Sequence, residues 1–584
     1  MGKWLLEAVL FMPLAGAALL LVLPPQEKGA LRGFALAVSA TTFLLSLGLW
    51  LRFDGTSADW QFVTDAPWID SLGIRFKIGV DGISLWLVML TTFITPLALL
   101  SAFRAVDDRV KEFMAAFLVL ETAMLGAFVA RDLFLFFVFW EAMLIPMYLI
   151  IGVWGSQRRI YATLKFFLFT MAGSVFLLVG ILYVYLHAGA RSFDPAELGT
   201  AGFTTLEQQL LFLAFAVAFA IKVPMFPLHT WLPDAHTEAP TAGSVILAAV
   251  LLKVGAYGLL RFALPMFPAA TITFAPWIAV LSTVAIIYGA FMALAQHDVK
   301  KLVAYSSVSH LGFVTLGLVM GTEASVQGAL LQMVNHGLST GALFLAIGVL
   351  YERRHTRLIA EYGGLAAVMP VFAAVLMLAT LSSIGLPGLN GFIGEFLVLA
   401  GTYTSTESGA GPWFAALAAL GVILGAVYML WTYQRVMFGP VKNPANKGLR
   451  DLSAREVAVF APIVAMMIVV GVYPRFVIDP MAPAVKAFAD GYRDARMTAR
   501  ARMELEERTG TAWPGAPAGV TAAPRVPGPG KGGARTGAPG VPGVLRPGLR
   551  TAVPAGSATI PGSGVSPRTV IVPRGAPPGT GGAP

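Results

Sequence analysis

The sequence predicts an all-α polytopic membrane protein with about fourteen transmembrane helices, on three observations. First, the 584 residues are 57% hydrophobic and only 12% charged, whereas soluble domains are about 25% charged. Second, apolar runs of about 20 residues, the length at which a helix spans a bilayer, recur along the chain. Third, these runs are apolar on every face, which is typical of membrane helices and not of amphipathic surface helices.

The predicted spans occupy most of the chain before residue 474. The twelfth is unusually long and is interrupted by glycine and proline. The spans run approximately over residues 4–23, 31–51, 83–103, 113–130, 133–153, 164–186, 209–228, 242–264, 273–295, 302–320, 327–350, 367–403, 412–438 and 457–473.

Lysine and arginine are distributed unequally between alternate loops, and this bias sets the orientation of a membrane protein. One alternate set of loops carries seventeen of these residues and the other carries six. The first set is therefore predicted on the cytoplasmic side of the membrane, and the N-terminus on the outer side. An even number of spans returns the C-terminus to that same outer side.

The membrane body is predicted to contain four regions. Residues 1–112 hold three spans and an amphipathic outer loop. Residues 113–264 and 273–438 each form a set of five helices whose fourth helix is broken. Corresponding breaks in two halves predict inverted repeats with a transport pathway near the bilayer midplane. Residues 439–507 hold the last span and its flank.

The C-terminal segment, 508–584, differs in composition from the rest. Residues 511–584 include 15 Pro, 17 Gly and no acidic residue, which predicts disorder because such a chain cannot bury a core. The eight basic residues from Arg508 onward account for +8 of the formal net charge of +9. The positive charge is therefore a property of the tail, and we expect no nucleic-acid partner.

The chain contains no cysteine. This excludes thiolate-bound iron–sulfur clusters, structural zinc sites built from cysteine, disulfides and cysteine nucleophiles in this chain. If the protein takes part in redox chemistry, the electrons travel through other chains.

Titratable side chains inside predicted spans carry the functional hypothesis, because a charge at the bilayer centre costs several kcal/mol. Two of them lie beside helix interruptions, one before Pro224 and Pro227 and the other after the segment 385–391. Burial and pairing together bring lysine and glutamate toward working pH, and histidine titrates there already. The set predicts a proton relay made of Glu141, Lys222, Lys253, His310, His336 and Glu395.

Structural roles are alternatives for most of this set. Glu141 and Lys222 also fit a static ion pair, the two histidines fit interhelical hydrogen bonds, and Glu395 fits a helix cap. Lys253 is the hardest to explain structurally, because nothing near it in the sequence neutralises it. Two further charged residues, Glu121 and Arg261, are interpreted as structural because they are expected nearer helix ends.

A polar cluster follows the first broken helix and consists of His229, Asp234, His236 and Glu238. These residue types bind metals, but the prolines among them interrupt any regular ligand geometry. An interfacial turn at a channel mouth is the favoured interpretation.

Three blocks of sequence resemble the antiporter-like membrane subunits of respiratory complex I. They are VDGIS at 80–84, FFVFWEAMLIPMY at 136–148, and KVPMFPLHTWLPDAH at 222–236 with EAPTAGS at 238–244. The resemblance covers roughly residues 1–480, and several sister types share it, including the large subunits of multisubunit Na+/H+ antiporters. Glu395 favours the M type, since the L and N types usually carry lysine there. The L type also has a long lateral helix, and none is predicted after the fourteenth span.

The resemblance implies that the chain is a proton-translocating subunit of an NADH:quinone oxidoreductase, and so part of a translocase. Glu141 and Lys222 would be the coupling ion pair, Lys253 the central proton relay and His336 a bridging relay. Glu395 would be the proton site of the second half, near the outer exit. The remaining histidine would support the polar axis.

The resemblance also implies where the cofactors and partners lie. FMN, iron–sulfur clusters and quinone are expected in partner subunits, with no cofactor or metal in this chain. The expected partners are L-type and N-type neighbours, the lipid bilayer and protons. Two alternatives stay open: a subunit of a multisubunit Na+/H+ antiporter without redox coupling, and a scaffold whose polar axis no longer conducts.

Overall fold

Helices long enough to cross a membrane make up most of the computed structural model. Within the described residues, thirteen helices have the length and apolar composition of membrane spans. The interrupted twelfth span, predicted over 367–403, is present as two shorter helices. The predicted polytopic α-helical architecture is confirmed, while the inverted relation of the two halves stays a prediction. The described residues are 3–509 except Ala190, Thr200, Glu407 and Ser408, so nearly all of the predicted tail lies outside them.

The N-terminal region contains three membrane helices and a β-hairpin that the all-α prediction did not include. The outer loop forms two antiparallel strands, β1 (Gln61–Ile69) and β2 (Ile74–Val80). Apolar and basic residues alternate along β2, so one strand face packs inward and the other stays polar. The helices are α1 (Lys3–Val22), α2 (Lys28–Arg52) and α3 (Gly82–Ala105).

The first predicted five-helix set is more broken than its hydropathy indicates. The second span of this set is divided at Met143 into two helices. The span that ends at Lys222 is followed by a short separate helix. The helices are α4 (Val110–Val129), α5 (Leu133–Ala142), α6 (Leu144–Trp154), α7 (Arg159–His187), α8 (Pro195–Leu198), α9 (Thr205–Lys222), α10 (Trp231–Glu238), α11 (Thr241–Ile246), α12 (Leu252–Gly258) and α13 (Leu264–Met266). Two π-helical turns, Leu247–Leu251 and Leu259–Ala263, flank α12.

The second predicted set follows the same plan, with one helix interrupted. The helices are α14 (Pro268–Leu294), α15 (Val299–Met320), α16 (Glu323–Arg354), α17 (Leu365–Val368), α18 (Pro370–Ser383), α19 (Asn390–Tyr403) and α20 (Gly411–Met437). Among these, α16 packs against both α15 and α19, so it lies at the centre of this half.

Many helices begin where a side chain satisfies the free backbone N–H groups of the first turn, which is the usual role of Asp, Ser and Thr at such positions. These caps explain why several helices begin within a few residues of the starts predicted from their apolar runs. The capping residues are Asp81, Asp132, Asp194, Thr204, Asp298, Thr322 and Ser453.

A long amphipathic helix ends the described chain. The last span is α21 (Ala454–Val472), and it is followed by the 35-residue α22 (Arg475–Thr509). This 35-residue helix was not predicted from the sequence. Charged residues lower the hydropathy of this helix below that of a span, yet apolar residues recur on one helical stripe. The buried stripe comprises Val477, Met481, Ala484, Val485, Ala489 and Tyr492.

α22 packs across one end of the helix body, against α3, α14 and α16. Near its start, Pro480 lies against Gly82 at the beginning of α3. Further along, Tyr492 donates a hydrogen bond to the carbonyl of Val319 at 3.1 Å. Near its end, Glu506 accepts a hydrogen bond from Thr205. The helix therefore contacts, and holds in place, chain segments that are far apart in sequence.

We expect Gly321→Ala to weaken the packing of α22 against the helix body. Gly321 has a φ of +65°, and a Cβ there would lie 2.2 Å from the ring of Tyr492. The left-handed conformation costs an L-residue about 1–2 kcal/mol, and overpacking adds about 1–3 kcal/mol. The measurement is the rate of trypsin cleavage within α22 in the solubilised protein, which should rise.

Gly189→Ala is the matched control for this variant. Gly189 also has a positive φ, +87°, but a Cβ there would have nothing within 4 Å. It carries the backbone cost without the contact to α22. Equal cleavage rates within α22 in both variants would show that the Tyr492 contact does not hold α22 against the helix body.

Candidate functional site

The residues predicted for the relay are buried inside the helix body, with one exception. Lys253 is 0% exposed, and Lys222, His310, His336 and Glu395 are all buried as well. Glu141 is only half-buried. The structure brings four of the six into one line of contacts, and it places Glu141 and Lys222 apart from that line.

Lys253 and His336 form the first contact of this line. The Nζ atom of Lys253 lies 2.6 Å from Nδ1 of His336 and also donates a hydrogen bond to the carbonyl of Ala248. That carbonyl belongs to the π-helical turn before α12. π-Helical turns free backbone groups from the regular ladder and occur often at functional sites. The distorted helix thus supplies an acceptor to a buried lysine that pairs with no acidic side chain among the described residues.

His310 links His336 to Glu395. The rings of His310 and His336 lie 5.8 Å apart, centre to centre. Nδ1 of His310 lies 3.0 Å from Oε1 of Glu395. Lys253, His336, His310 and Glu395 therefore form one buried line across α12, α16, α15 and α19. His310, predicted as a supporting residue, lies within the line itself.

Glu395 is held at the interruption between α18 and α19. Its Oε1 atom also accepts a hydrogen bond from Gln332 at 3.0 Å. Gly385 has a φ of +72°, and a Cβ there would lie 3.0 Å from Oε2 of Glu395. Ser383 places its Oγ atom 3.4 Å from Nε2 of His310. The broken helix therefore supplies polar groups and space around the carboxylate, as irregular backbone at membrane depth requires.

Asn390 fastens this interruption to the neighbouring helix. It accepts a hydrogen bond from Ser382 at 2.6 Å, and its backbone carbonyl accepts one from Asn335 at 2.6 Å. Because Asn335 precedes His336 on α16, one polar network joins the break in the α18–α19 span to the helix turn that carries His336.

Lys222 lies at the end of α9 but forms no direct salt bridge with Glu141. Its Nζ atom sits 3.8 Å from the centre of the Trp140 ring and donates to the Trp140 carbonyl at 3.2 Å. No ion pair within 4.0 Å joins it to Glu141 among the described residues. The predicted ion pair is therefore not formed in this structure, where the Trp140 ring occupies the position next to the ammonium group.

Glu141 lies close to an exposed apolar surface. The next helix, α6, exposes Ile145, Tyr148 and Leu149, of which Ile145 is 67% exposed. A half-buried carboxylate at the level of a membrane span needs a polar neighbour or water.

Two residues interpreted as structural differ from each other. Arg261 pairs with Asp81 and lies over the rings of Trp60 and Tyr257, which fits the structural interpretation. Glu121, by contrast, lies in the middle of α4, is 0% exposed, and has no hydrogen-bond partner among the described residues. The expectation that it lies near a helix end is wrong, because Glu121 is the twelfth of the 20 residues of α4.

The polar cluster after α9 is not an interfacial turn. Its residues belong largely to α10, where His236 is 0% exposed and Glu238 is buried. Asp234 pairs with Lys165 at 2.7 Å. Within the described residues, no group of three or more His, Asp or Glu side chains is arranged to hold a metal. Sequence reasoning missed the burial of His236 because the flanking prolines suggested an exposed loop.

Comparison with known proteins matches the central part of the chain to one family model. That model is described as "NADH:quinone oxidoreductase/Mrp antiporter, TM", and it matches residues 130–432. The matched range contains all six predicted relay residues and both interrupted helices.

Individual relatives match over most of the chain. "NADH-quinone oxidoreductase subunit M" of Rhodobacter capsulatus is 50% identical over 504 residues, covering 84% of this chain and 97% of the relative. "NADH-ubiquinone oxidoreductase chain 4" of Marchantia polymorpha is 46% identical, covering 82% and 96%. A chain of respiratory complex I from Thermus thermophilus, solved with bound NADH, superposes with a TM-score of 0.76 at 34% identity, covering 83% of this chain and 99% of that one.

Proposed function

The chain belongs to the family of NADH:quinone oxidoreductase and Mrp antiporter membrane subunits, and on that premise we propose that it conducts protons through its buried relay as a subunit of an NADH:quinone oxidoreductase. Electron transfer from NADH to quinone occurs in other subunits and drives this movement. The chain itself contributes no redox centre.

One observation carries the proposal, namely the buried line from Lys253 through His336 and His310 to Glu395. Three of its members are basic and one is acidic, and the described residues place no fixed counter-charge against Lys253. A buried lysine without a counter-charge is expensive to keep merely for structure. A site that accepts and releases a proton explains both its burial and its neighbours.

The proposed order of transfer follows the contacts along this line. Lys253 gives its proton to Nδ1 of His336, and the proton on the opposite ring nitrogen moves on toward His310. His310 accepts at Nε2, beside Ser383, and gives up its Nδ1 proton to Glu395. Each histidine ends neutral, and one proton has moved from Lys253 to Glu395. Glu395 then releases it toward the outer side.

Glu141 and Lys222 would drive this transfer without touching it. A charge change in a neighbouring subunit alters how far the charge of Glu141 offsets that of Lys222, and the less neutralised ammonium group then repels the proton on Lys253. Unit charges about 8 Å apart at an effective dielectric constant near 20 interact by roughly 2 kcal/mol. That energy changes a proton occupancy ratio about 30-fold, enough to redirect a poised proton.

The same proposal covers location and partners. We place the chain in a bacterial inner membrane with both termini on the outer side, because the basic loops then face the cytoplasm. L-type and N-type subunits would be its neighbours, one of them covering the surface beside Glu141. FMN, iron–sulfur clusters and quinone would lie in the partner subunits. The division of the membrane body at residues 112, 264 and 438 is part of this proposal.

The function is tested by Glu141→Ala in the assembled complex. Reconstituted vesicles should oxidise NADH with fewer protons translocated per NADH than the wild type, because Lys222 loses its changing partner. Glu112→Ala is the control, since Glu112 is an exposed acid on the neighbouring helix α4 and should leave the ratio unchanged.

Two outcomes would overturn the proposal. An unchanged proton-to-NADH ratio in Glu141→Ala would exclude this coupling. Purification of the chain without NADH-oxidising partners, together with sodium-dependent proton exchange in vesicles, would instead establish the Na+/H+ antiporter alternative.

A further inference from the structure

An apolar groove lies apart from the buried line, among α2, α3, α16, α21 and α22. Its volume is about 120 Å³, and its lining is apolar except for the N–H groups of two tryptophans. Apolar cavities of this size exclude water, and their lining gains dispersion contacts only when apolar atoms fill the space. A helix, at least about 10 Å across, is too wide to enter. The groove therefore suits a single hydrocarbon chain.

The groove opens toward the lipid-facing surface of the helix body. Val334 and Leu338 of α16 are buried and form its floor, while Leu47 of α2 and Met466 of α21 are half-buried at its sides. On the outward face of α2, Leu44 is 64% exposed. Because lipid chains surround such exposed side chains in a membrane, one chain can enter the groove from the side.

Aromatic rings mark the two ends of the groove. At the outer end, where α2 ends and α3 and α22 begin, the ring of Phe476 lies 5.3 Å from that of Trp50 and 5.2 Å from that of Trp86. At the inner end, the rings of Phe43 and Phe93 lie 5.7 Å apart. Each of these two phenylalanines is seven residues from the tryptophan of its own helix, which is about 10 Å along the axis. The groove thus runs from one membrane surface inward, as an acyl chain does.

Trp86 supplies an unused hydrogen-bond donor at the outer end. It lines the groove and is 6% exposed, and its Nε1 atom has no partner among the described residues. Buried indole N–H groups usually have a partner, so this donor is left for an acceptor from outside the chain. Tryptophans near a membrane surface lie at the headgroup level, which is also the level of the ester carbonyls of a phospholipid.

Two arginines at the same end favour a phosphate group. Arg52 is the last residue of α2, Arg475 is the first residue of α22, and both are exposed. Neither forms an ion pair within the part of the chain that the structure describes. The acid closest in sequence to Arg52, Asp54, accepts hydrogen bonds from Thr56. Since guanidinium groups bind phosphate oxygens well, this end suits a phospholipid better than an uncharged quinone.

We propose that the groove binds one acyl chain of an outer-leaflet phospholipid. The ester carbonyl of that chain accepts a hydrogen bond from Nε1 of Trp86, and the phosphate lies beside Arg52 and Arg475. Because Phe476 and Val477 line the groove, the bound chain completes the packing of the start of α22. The site is separate from the relay and stands whether or not the chain conducts protons.

The test uses the assembled complex in vesicles of phosphatidylethanolamine that carries a diazirine near the middle of one acyl chain. After irradiation, label should appear on the α16 segment with Val334 and Leu338, which are buried from surface lipid. Leu47→Trp should lower this label about five-fold or more, because the larger ring fills the groove. Trp86→Phe keeps a ring but removes the N–H, and it should lower the label about 2- to 10-fold.

Leu44→Trp is the matched control, since it adds the same ring to the same helix outside the groove and should keep the wild-type label. Absence of label on α16 in the wild type, or equal label in Leu47→Trp and Leu44→Trp, would overturn the inference. An unchanged label in Trp86→Phe would overturn the carbonyl contact. A quinone with the same diazirine in its tail should label α16 less than the phospholipid does; equal or stronger labelling would make a quinone tail the occupant and overturn the proposal.

Discussion

Lys253→Met is expected to abolish proton translocation through this chain while leaving its fold intact. Methionine nearly preserves the length and volume of the buried side chain, but it can neither bind nor release a proton. Loss of an acid–base group slows its step by about 100-fold or more. The measurement is the proton-to-NADH ratio of the complex in vesicles, together with the yield of the complex as a check on assembly.

Lys253→Arg distinguishes a proton carrier from a fixed charge. Arginine stays protonated under all working conditions, so it keeps the positive charge beside His336 but cannot release a proton. We expect it to be as inactive as Lys253→Met. Full translocation by the arginine variant would mean that Lys253 acts only as a charge, and Lys486→Met, an exposed lysine on α22, controls for nonspecific effects.

Glu395→Gln is the second substitution for which we expect a large loss. The glutamine carbonyl can still accept from Gln332 and His310, so the contacts at the interruption are retained. It cannot take up a proton, so the last transfer of the line has no acceptor. Translocation should fall about 100-fold or more, with the thermal stability of the complex unchanged within about 1 kcal/mol.

Glu395→Asp and Glu323→Gln complete this experiment. Aspartate retains a titratable carboxyl group but shortens its reach to His310, so a partial loss is expected. Glu323 is an exposed acid at the start of α16, and its substitution should have no effect. Normal translocation by Glu395→Gln would show that the proton leaves the line before reaching this residue.

Much of the architecture was predictable because membrane helices are specified locally. Each span must satisfy its own backbone hydrogen bonds and present apolar side chains to lipid, and both requirements are visible in a single segment. The two interruptions were predictable for a similar reason. The prolines at 224 and 227, and the glycines and proline within 385–391, disfavour a regular helix. The hairpin and α22 were missed because their signals, alternation and an amphipathic stripe, are weaker than hydropathy.

The candidate site was only partly predictable from the sequence. Every residue of the buried line was recognised from its charge inside an apolar run, but the direct contact of His310 with Glu395 was not predicted. Its contact with Glu395 joins residues 85 positions apart. The sequence indicated an ion pair between Glu141 and Lys222, whereas the structure places the Trp140 ring against the ammonium group. That position depends on how α5 packs against α9, which the sequence does not show.

The sequence by itself determined that this chain spans a membrane many times, where its helices break, and which titratable groups are buried at depth. Those properties follow from the solvation of each segment and need no knowledge of its neighbours. Only the tertiary structure decided the order of contacts from Lys253 to Glu395, the central burial of Glu121 and the burial of His236 against Phe344. Proton transfer depends on distances between side chains from different helices, and helix packing alone sets those distances.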